Sequence, residues 1–198
     1  MKIFKHIISF LLIIPLLTFG STDTTPDGFL RDSVKEVSLF INENKEQLDK
    51  DDTFLRDKMN QIVIPKLNIL LMSKIVLGKK NWVSSSNNQK KQFQEAFKGL
   101  MVRTYMKSLT TFDGEKMQFL PYKPGKRADV AKVKSVYLLS EGELPVNYRL
   151  KLNDAKEWRV FDIIIDGVSL LKNYRSDFRD HIERDGIDSL ISELKAKK

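Results

Sequence analysis

The stretch WRVFDIIIDGVSLLKNYRSDF, Trp158–Phe178, has the pattern of a strand, a turn and the start of a helix, and it therefore predicts that this chain combines a sheet with helices. Its first eight residues are mostly apolar and β-branched, as expected for a strand that is covered on both sides. Strict alternation divides this strand into two faces. One face would carry Trp158, Val160, Asp162 and Ile164, and the other Phe161, Ile163 and Ile165. Asp166-Gly167 breaks the strand, and helical sequence begins at about Val168.

Outward from this stretch, the chain divides into helical, then extended, then again helical sequence. Three further segments have strand patterns and are separated by turn residues: 117–122, 130–139 and 145–152. Apolar residues at helical spacing precede these segments from about residue 29, and helical sequence follows the last strand up to the basic tail. Helices, an antiparallel sheet of about four strands and further helices predict a single α+β domain.

The first twenty residues have the composition of a secretory signal peptide. A basic start is followed by residues 7–19, of which ten are Ile, Leu or Phe. A helix of that length spans about 20 Å, which is short of the roughly 30 Å hydrocarbon core of a membrane. Thr18 and Gly20 supply the small residues for cleavage before Ser21. We predict a signal peptide over residues 1–20 and one domain over 21–198; an uncleaved N-terminal anchor is the alternative.

The amino-acid composition excludes several classes of enzyme. The 198 residues include no cysteine and two histidines, so disulfides, thiolate metal sites and a cysteine nucleophile are excluded. His6 lies in the predicted signal peptide, which leaves His181 alone and excludes a site built on several histidines. The G-x-S-x-G motif of serine hydrolases and phosphate-binding glycine loops are also absent.

The chain is basic, with a formal charge of +8. Removal of the signal peptide takes away two lysines and no acid, which leaves +6. On a secreted protein this excess favours an anionic membrane surface, an acidic partner protein or simple solubility. Nucleic acid is not expected as a partner.

Asp162 is the best acid–base candidate in the sequence. A carboxylate among apolar neighbours can act as a proton carrier. The alternative is a structural role, in which Asp162 pairs with Arg149 or Arg175 or accepts backbone hydrogen bonds. No obvious second catalytic group accompanies it, and His181 lies among charged residues of a predicted helix, where we expect it to be solvated.

The clearest amphipathic helix begins at Ser86, where Gln89 completes a capping box. Its apolar face consists of Phe93, Phe97, Leu100, Met101, Thr104, Tyr105 and Leu109. Such a face either packs in an ordinary core or lines a ligand cavity, and the periodicity leaves both open. Large apolar side chains point inward from both the helices and the sheet, so an apolar cavity between them is possible.

Several segments together resemble one family. They are LGKKNW (Leu77–Trp82), QFQEAFKGLMVRTY (Gln92–Tyr105), PVNYRL (Pro145–Leu150) and the stretch Trp158–Phe178, followed by Gly186, Leu190 and Ile191. The sequence resembles the MlaC, or toluene-tolerance, family of periplasmic phospholipid-binding proteins, auxiliary components of an ABC transporter in Gram-negative bacteria. The resemblance covers about residues 30–195. It implies that helices pack on a curved, mostly antiparallel sheet and enclose an apolar pocket.

The resemblance implies a periplasmic carrier and not an enzyme, with a bound glycerophospholipid as ligand, no cofactor and no metal. Such carriers move lipid between an outer-membrane lipoprotein complex and an inner-membrane ABC transporter complex with an MCE-domain protein, in transient contact near the membrane. This traffic maintains the lipid asymmetry of the outer membrane. Two acyl chains hold about 30 methylenes, each worth about 0.8 kcal/mol on burial, so their exposure to water would cost over about 20 kcal/mol.

The matching segments imply which residues form the pocket wall. From the helices we expect Val76, Trp82, Phe97, Met101 and Tyr105. From the sheet and the turn after it we expect Val146, Tyr148, Leu150, Val160, Ile164 and Val168. Ser169, Tyr174 and Arg175 are expected either near the lipid headgroup or in structural roles, with Ser169 capping a helix and Arg175 pairing with Asp162 or Asp166.

Two other functions stay open. An extracytoplasmic adaptor or chaperone would bind protein through an apolar face and would have a filled core. A small enzyme on a cone-shaped α+β fold would use Asp162 as base with Tyr148 as its partner. That enzyme requires Asp162 to point into a pocket beside a hydroxyl group.

Overall fold

The computed structural model describes residues 25–110 and 113–196. The predicted signal peptide, residues 1–20, lies outside the described residues. Within the two described ranges, none of the helices combines the length and hydrophobicity that crossing a membrane requires.

In the described part of the chain, five α-helices flank the sheet in the order that the sequence predicts. They are α1 (Pro26–Lys50), α2 (Asp52–Lys58), α3 (Ile69–Ser84), α4 (Asn87–Thr110) and α5 (Leu170–Ala196). A π-helical turn (Met59–Val63) and a 3-10 turn (Ile64–Lys66) connect α2 to α3, and a second 3-10 turn (Gly114–Lys116) follows α4.

Side-chain caps fix the starts of several helices. The capping box predicted at Ser86 is present: the Gln89 N–H donates to Ser86 Oγ at 3.1 Å, and the Ser86 N–H donates to Gln89 Oε1 at 2.9 Å. Asp51 accepts hydrogen bonds from the first N–H groups of α2 in the same way. Asn68 accepts from the Leu71 N–H at 3.0 Å and caps α3.

The sheet is open and antiparallel, with strand order β1-β2-β3-β4-β5. The strands are β1 (Met117–Phe119), β2 (Val130–Leu138), β3 (Glu143–Leu152), β4 (Trp158–Ile165) and β5 (Val168–Ser169). The predicted α+β class is confirmed. The fifth strand was not predicted because two residues are too short to show alternation, and their sequence is continuous with that of α5.

A β-bulge at Phe161 changes which residues of β4 share a face. Val160 and Asp162 pair with consecutive residues of β3, so Phe161 has no partner in that strand. The extra residue shifts the alternation. Val160 and Ile163 therefore lie on one face, and Asp162 and Ile164 on the other. The prediction that Val160, Asp162 and Ile164 share a face is wrong for this reason.

Three clusters of buried side chains hold the elements together. The largest lies between α3, α4 and α5, where the Phe93 and Phe97 rings stack at 5.8 Å and Phe178 meets both edge-on. Phe161, the bulged residue of β4, joins this cluster and so ties the sheet to the helices. A second cluster connects α1, α2 and α4, and a third packs α1 on the sheet.

Candidate functional site

One face of the sheet is filled at one end and hollow at the other. At the filled end, Leu30 of α1 packs in a cluster with Val133, Leu150 and Val160, all of them buried. Further along the same strands, this face borders a cavity of about 480 Å³. The cavity exists because α1 covers only part of the face and the opposite wall does not approach the rest.

The wall of the cavity is almost entirely apolar. The sheet contributes Met117, Tyr137, Leu144, Val146, Tyr148, Val160, Ile163 and Ile165. The helices and their connections contribute Met59, Val63, Ile64, Leu67, Met72, Met101, Val102, Tyr105, Ser108 and Leu170. Ser108 and the three tyrosines supply hydroxyl groups, and no charged side chain among the described residues lines this cavity.

The wall that faces the sheet is built from deformable parts. Met59 and Val63 lie in the π-helical turn, and Ile64 begins the 3-10 turn that follows. Met59, Met72 and Met101 reach the cavity from this wall, and Met117 reaches it from the sheet. Methionine is unbranched and adapts to irregular apolar surfaces. This wall therefore suits a flexible apolar ligand.

The partly buried tyrosines give the cavity polarity without charge. Burial among apolar side chains raises the pKa of Tyr148 to about 12. Burial, together with the hydroxyl of Tyr174 at 3.4 Å, raises the pKa of Tyr105 well above its ordinary value. Both phenols are therefore neutral near pH 7.

Asp162 lies on the face of the sheet opposite Tyr148. It is 1% exposed and accepts hydrogen bonds from the Ser169 hydroxyl at 2.8 Å and the Leu171 N–H at 3.3 Å. The guanidinium of Arg149 lies 3.5 Å from its carboxylate. These partners fix the start of α5 on β4. The arrangement of Asp162 beside Tyr148, which the enzyme hypothesis requires, is not found.

Residues 31–196 match the sequence model of the MlaC protein family. The chain belongs to the MlaC family. This confirms the resemblance seen in the sequence.

Two relatives align with most of the chain. The toluene tolerance protein Ttg2D of Pseudomonas putida is 28% identical over 186 residues, which cover 93% of this chain and 84% of the relative. The intermembrane phospholipid transport system binding protein MlaC of Haemophilus influenzae is 24% identical over 192 residues, covering 95% of this chain and 89% of the relative.

A solved structure has the same fold. The phospholipid-binding protein of Ralstonia solanacearum, determined in complex with a phospholipid, superposes with a TM-score of 0.75 at 23% identity. The superposition covers 84% of this chain and 92% of that protein. The MlaC-family fold described above is thus shared with a protein whose structure contains a lipid.

Five of the residues that the MlaC resemblance implied do line the cavity. They are Met101, Tyr105, Val146, Tyr148 and Val160. Their contact with a ligand stays a prediction. They come from both sides of the cavity, α4 and the sheet, so three of the four segments that carried the resemblance meet across it.

The other implied residues lie away from the cavity wall. Val76 and Phe97 are buried in the cluster between α3, α4 and α5, and Trp82 packs against that cluster. The Trp82 ring is covered by the ammonium groups of Lys74 and Lys90 at 5.5 and 5.7 Å. The helical periodicity was compatible with core packing as well as ligand contact, and for these three the structure shows core packing.

In the sheet, three further implied residues are displaced from the cavity for different reasons. Leu150 lies on the cavity face but packs in the cluster that contains Leu30. Ile164 is turned to the other face by the bulge. Val168 is 55% exposed in β5.

Among the cavity residues that sequence reasoning missed, two groups show the physical reason. The first is Met59, Val63 and Ile64, whose apolar spacing predicted a helix but not the side that it presents. The second is Ile163 and Ile165, which alternation assigned to the face opposite Val160. Val160 and Ile163 can share a face only if the strand contains a bulge, and the local sequence gives no signal that predicts this bulge.

The residues expected near a headgroup have structural contacts. Ser169 Oγ accepts from the Lys172 N–H at 3.2 Å, which confirms the predicted helix cap. The Tyr174 ring lies edge-on to Phe97 at 5.4 Å. The guanidinium of Arg175 lies against Gly78 of α3, and within residues 25–110 and 113–196 it forms no ion pair with Asp162 or Asp166.

His181 is also held by neighbours. Its Nδ1 lies 3.1 Å from the Glu193 carboxylate, and its Nε2 lies 3.2 Å from the Ser189 hydroxyl. The expectation that His181 is solvated is therefore wrong: its side chain is 15% exposed and contacts the second half of α5. In the part of the chain that the structure describes, no cluster of three His, Asp or Glu residues could hold a metal.

Proposed function

We propose that this protein is a periplasmic phospholipid carrier that holds acyl chains in the cavity between the sheet and the helices. The observation that carries the proposal is the cavity itself: about 480 Å³, with an almost entirely apolar wall. A filled core, as the adaptor hypothesis assumes, would leave no such space. Membership in the MlaC family supports the same function.

The chemistry of the wall matches that of an acyl chain. Each methylene that leaves water contributes about 0.8 kcal/mol, so the tails supply most of the affinity. The tyrosine hydroxyls and Ser108 are neutral or weakly polar and give no strong preference for one headgroup charge. The methionines let the wall adapt to chains of different length. We infer that this carrier binds a glycerophospholipid through its tails and needs no cofactor or metal.

We further propose the route of the lipid. Residues 1–20 direct the chain to the periplasm as a signal peptide, and residues 21–198 form the lipid-binding domain. The carrier then moves lipid between an outer-membrane lipoprotein complex and an inner-membrane ABC transporter complex with an MCE-domain protein, and so maintains outer-membrane lipid asymmetry. The name of the Haemophilus influenzae relative, an intermembrane phospholipid transport system binding protein, supports this route.

Native mass spectrometry of the protein purified from a periplasmic extract tests the carrier function. We expect an adduct with the mass of a phospholipid, which organic extraction and lipid analysis then identify. A protein that is consistently free of lipid after mild purification would contradict the proposal.

A matched pair of substitutions tests whether the cavity is the binding site. Val146 lines the cavity, whereas Val133 lies on the same sheet face in the filled part. Val146→Phe places the larger ring in free space, so the fold should persist while lipid occupancy falls at least severalfold. Val133→Phe overpacks a filled region and should cost about 1–3 kcal/mol of stability. Unchanged lipid occupancy in a folded Val146→Phe protein would place the site elsewhere.

A further inference from the structure

The sheet face opposite the cavity carries a group of cations. On β2 and β3 these are Lys132, Lys134, Arg149 and Lys151, and Lys123 joins them from the segment after β1. We call these five residues the basic face. They project from the side of the sheet that does not border the cavity, so their role is separate from ligand enclosure.

The basic face contains cross-strand pairs that stability alone does not favour. Lys132 lies directly opposite Arg149, and Lys151 lies directly opposite Arg159. Like charges in directly opposite positions destabilise a sheet. Arg159 borders the basic face on β4 and is paired with Glu157 at 2.6 Å, so the charge that remains to attract an external anion is mainly that of the lysines.

Acidic residues within the described chain compensate only part of this charge. Arg149 contacts the buried carboxylate of Asp162, and Lys151 lies 3.8 Å from Asp129. That second carboxylate is already held by Arg127 through two hydrogen bonds of 3.0 and 2.7 Å. Lys123, Lys132 and Lys134 have no ion-pair partner in residues 25–110 and 113–196.

The three unpaired lysines share a groove with apolar side chains. They line a groove of about 460 Å³ together with Leu120 and Pro121. Leu120 is 41% exposed, and it directly follows a strand that begins with the buried Met117. Basic residues beside an exposed leucine are the combination with which proteins bind at the surface of an anionic bilayer.

We propose that the basic face docks on the surface of bilayers that contain anionic phospholipid. The charges favour a membrane over an acidic protein segment because four of the five are lysines. Lysine is a flexible point charge that suits mobile lipid phosphates, whereas recognition of fixed carboxylates favours the planar fork of arginine. The proposal goes beyond lipid carriage and involves no residue of the cavity wall.

Vesicle sedimentation tests the docking. The mature chain is mixed with vesicles of phosphatidylglycerol and phosphatidylethanolamine in equal parts, or of phosphatidylcholine alone, at low and high salt. We expect binding to the anionic vesicles alone, weakened by salt. The variant K123Q/K132Q/K134Q should bind about 100-fold more weakly, since each lysine near such a surface contributes about fivefold.

A second triple variant controls for net charge. K45Q/K79Q/K91Q removes the same charge from exposed positions within α1, α3 and α4, outside the sheet, and should keep nearly the wild-type binding. Equal losses in both variants would overturn the proposal, as would equal binding of the wild type to both vesicle types. Binding to polyglutamate without binding to anionic vesicles would overturn it in favour of an acidic protein partner.

Two measurements separate this proposal from the carrier function. The K123Q/K132Q/K134Q protein should unfold at a temperature no lower than the wild type, because it loses the repulsion between Lys132 and Arg149. Its phospholipid adduct in native mass spectrometry should be unchanged. A wild type that lacks lipid but docks through these lysines would contradict the carrier function and leave the docking surface standing. A lower unfolding temperature would show that the lysines serve the fold and would overturn the docking proposal.

Discussion

Asp162 is a buried carboxylate whose hydrogen-bond and ion-pair partners stabilise the fold. It joins β4 to the first turn of α5 through Ser169 and the Leu171 N–H, and its charge is opposed by Arg149. An amide in its place accepts through only one oxygen and directs its NH₂ group at a donor. A buried donor that loses its acceptor costs about 1–3 kcal/mol.

We therefore expect Asp162→Asn to lower the free energy of unfolding by about 2 kcal/mol and to leave lipid occupancy unchanged. Denaturant titration and native mass spectrometry measure the two quantities. Asp166→Asn is the matched control, because Asp166 is exposed and the change should stay within about 0.5 kcal/mol. Loss of lipid at unchanged stability would instead assign Asp162 a role in the cavity.

Ionisation of Tyr148 should make the stability of the folded protein depend on pH. Burial raises its pKa from 10.0 to about 12 in the folded protein, whereas the unfolded chain keeps the ordinary value. Between pH 10 and 12 the unfolded state therefore binds fewer protons than the folded state, and stability falls as pH rises. A pKa difference of two units between the folded and unfolded states corresponds to about 2–3 kcal/mol of stability.

The expected result is a free energy of unfolding that declines by about 2 kcal/mol across that pH range on account of Tyr148. Lysines also titrate there, so the quantity to compare is the difference between the wild type and Tyr148→Phe. The decline should be smaller in Tyr148→Phe by about this amount. Identical pH profiles for the two proteins would show that the phenol is accessible to water.

At the scale of elements, two glycines interrupt helices with nearly the same backbone conformation. Gly78 in α3 has φ 71° and ψ 163°, and Gly186 in α5 has φ 83° and ψ 167°. These angles fall in a region that glycine alone adopts without strain. A Cβ at Gly78 would lie 3.2 Å from the guanidinium of Arg175, whereas a Cβ at Gly186 would meet open space.

Gly186→Ala should therefore report backbone strain alone, about 1–3 kcal/mol of lost stability. Gly78→Ala should lose at least as much, with a small addition from the displaced Arg175 side chain. Thermal unfolding of both variants, and of Gly78→Ala combined with Arg175→Ala, separates the two contributions. A smaller loss at Gly78 than at Gly186 would contradict this account.

Local signals in the sequence predicted the elements well. Ser86 and Gln89 form the predicted capping box, and Asp166-Gly167 ends β4 as expected. These predictions are correct because each feature depends on a few neighbouring residues. The bulge at Phe161 depends on long-range packing instead: the ring enters the cluster between α3, α4 and α5 and shifts the alternation after it. Strict alternation therefore misplaced Ile163 and Ile164.

In the molecule as a whole, the cavity makes the free energy of unfolding depend on whether a ligand is bound. Apolar wall that no side chain covers contributes less to folding than it would when packed. A phospholipid that binds the folded chain and not the unfolded chain stabilises by mass action, by about 2.7 kcal/mol at a free concentration one hundred times Kd. The loaded form is therefore the more stable one.

Removal of lipid should lower Tm by roughly 5–10 °C under those conditions, since each kcal/mol shifts Tm by about 2–4 °C in a domain of this size. Calorimetry of delipidated protein, before and after addition of phospholipid, measures the shift. Glycerophosphocholine has the headgroup but no tails and should restore none of it. Recovery with this compound would show that the headgroup supplies the affinity.

The sequence predicted the fold class and the presence of an apolar interior, but not which part of the interior is empty. Phe97 and Met101 illustrate the limit: they are one helical turn apart on α4 and both pack in the cluster between α3, α4 and α5, but Met101 also lines the cavity and Phe97 does not. Leu150 and Val146 differ in the same way on β3. On β3 the difference depends on where α1 ends its coverage of the sheet, which is a property of the assembled chain.

Because one sheet face is divided into a filled and a hollow part, substitutions in the two parts affect the evolution of the protein differently. A substitution beside Leu30, at Val133 or Leu150, changes whether the chain folds. A substitution at Val146 or Ile163 changes what fits. Homologues of such a protein can therefore change their ligand while keeping the fold. A sequence motif that identifies the fold need not identify the ligand.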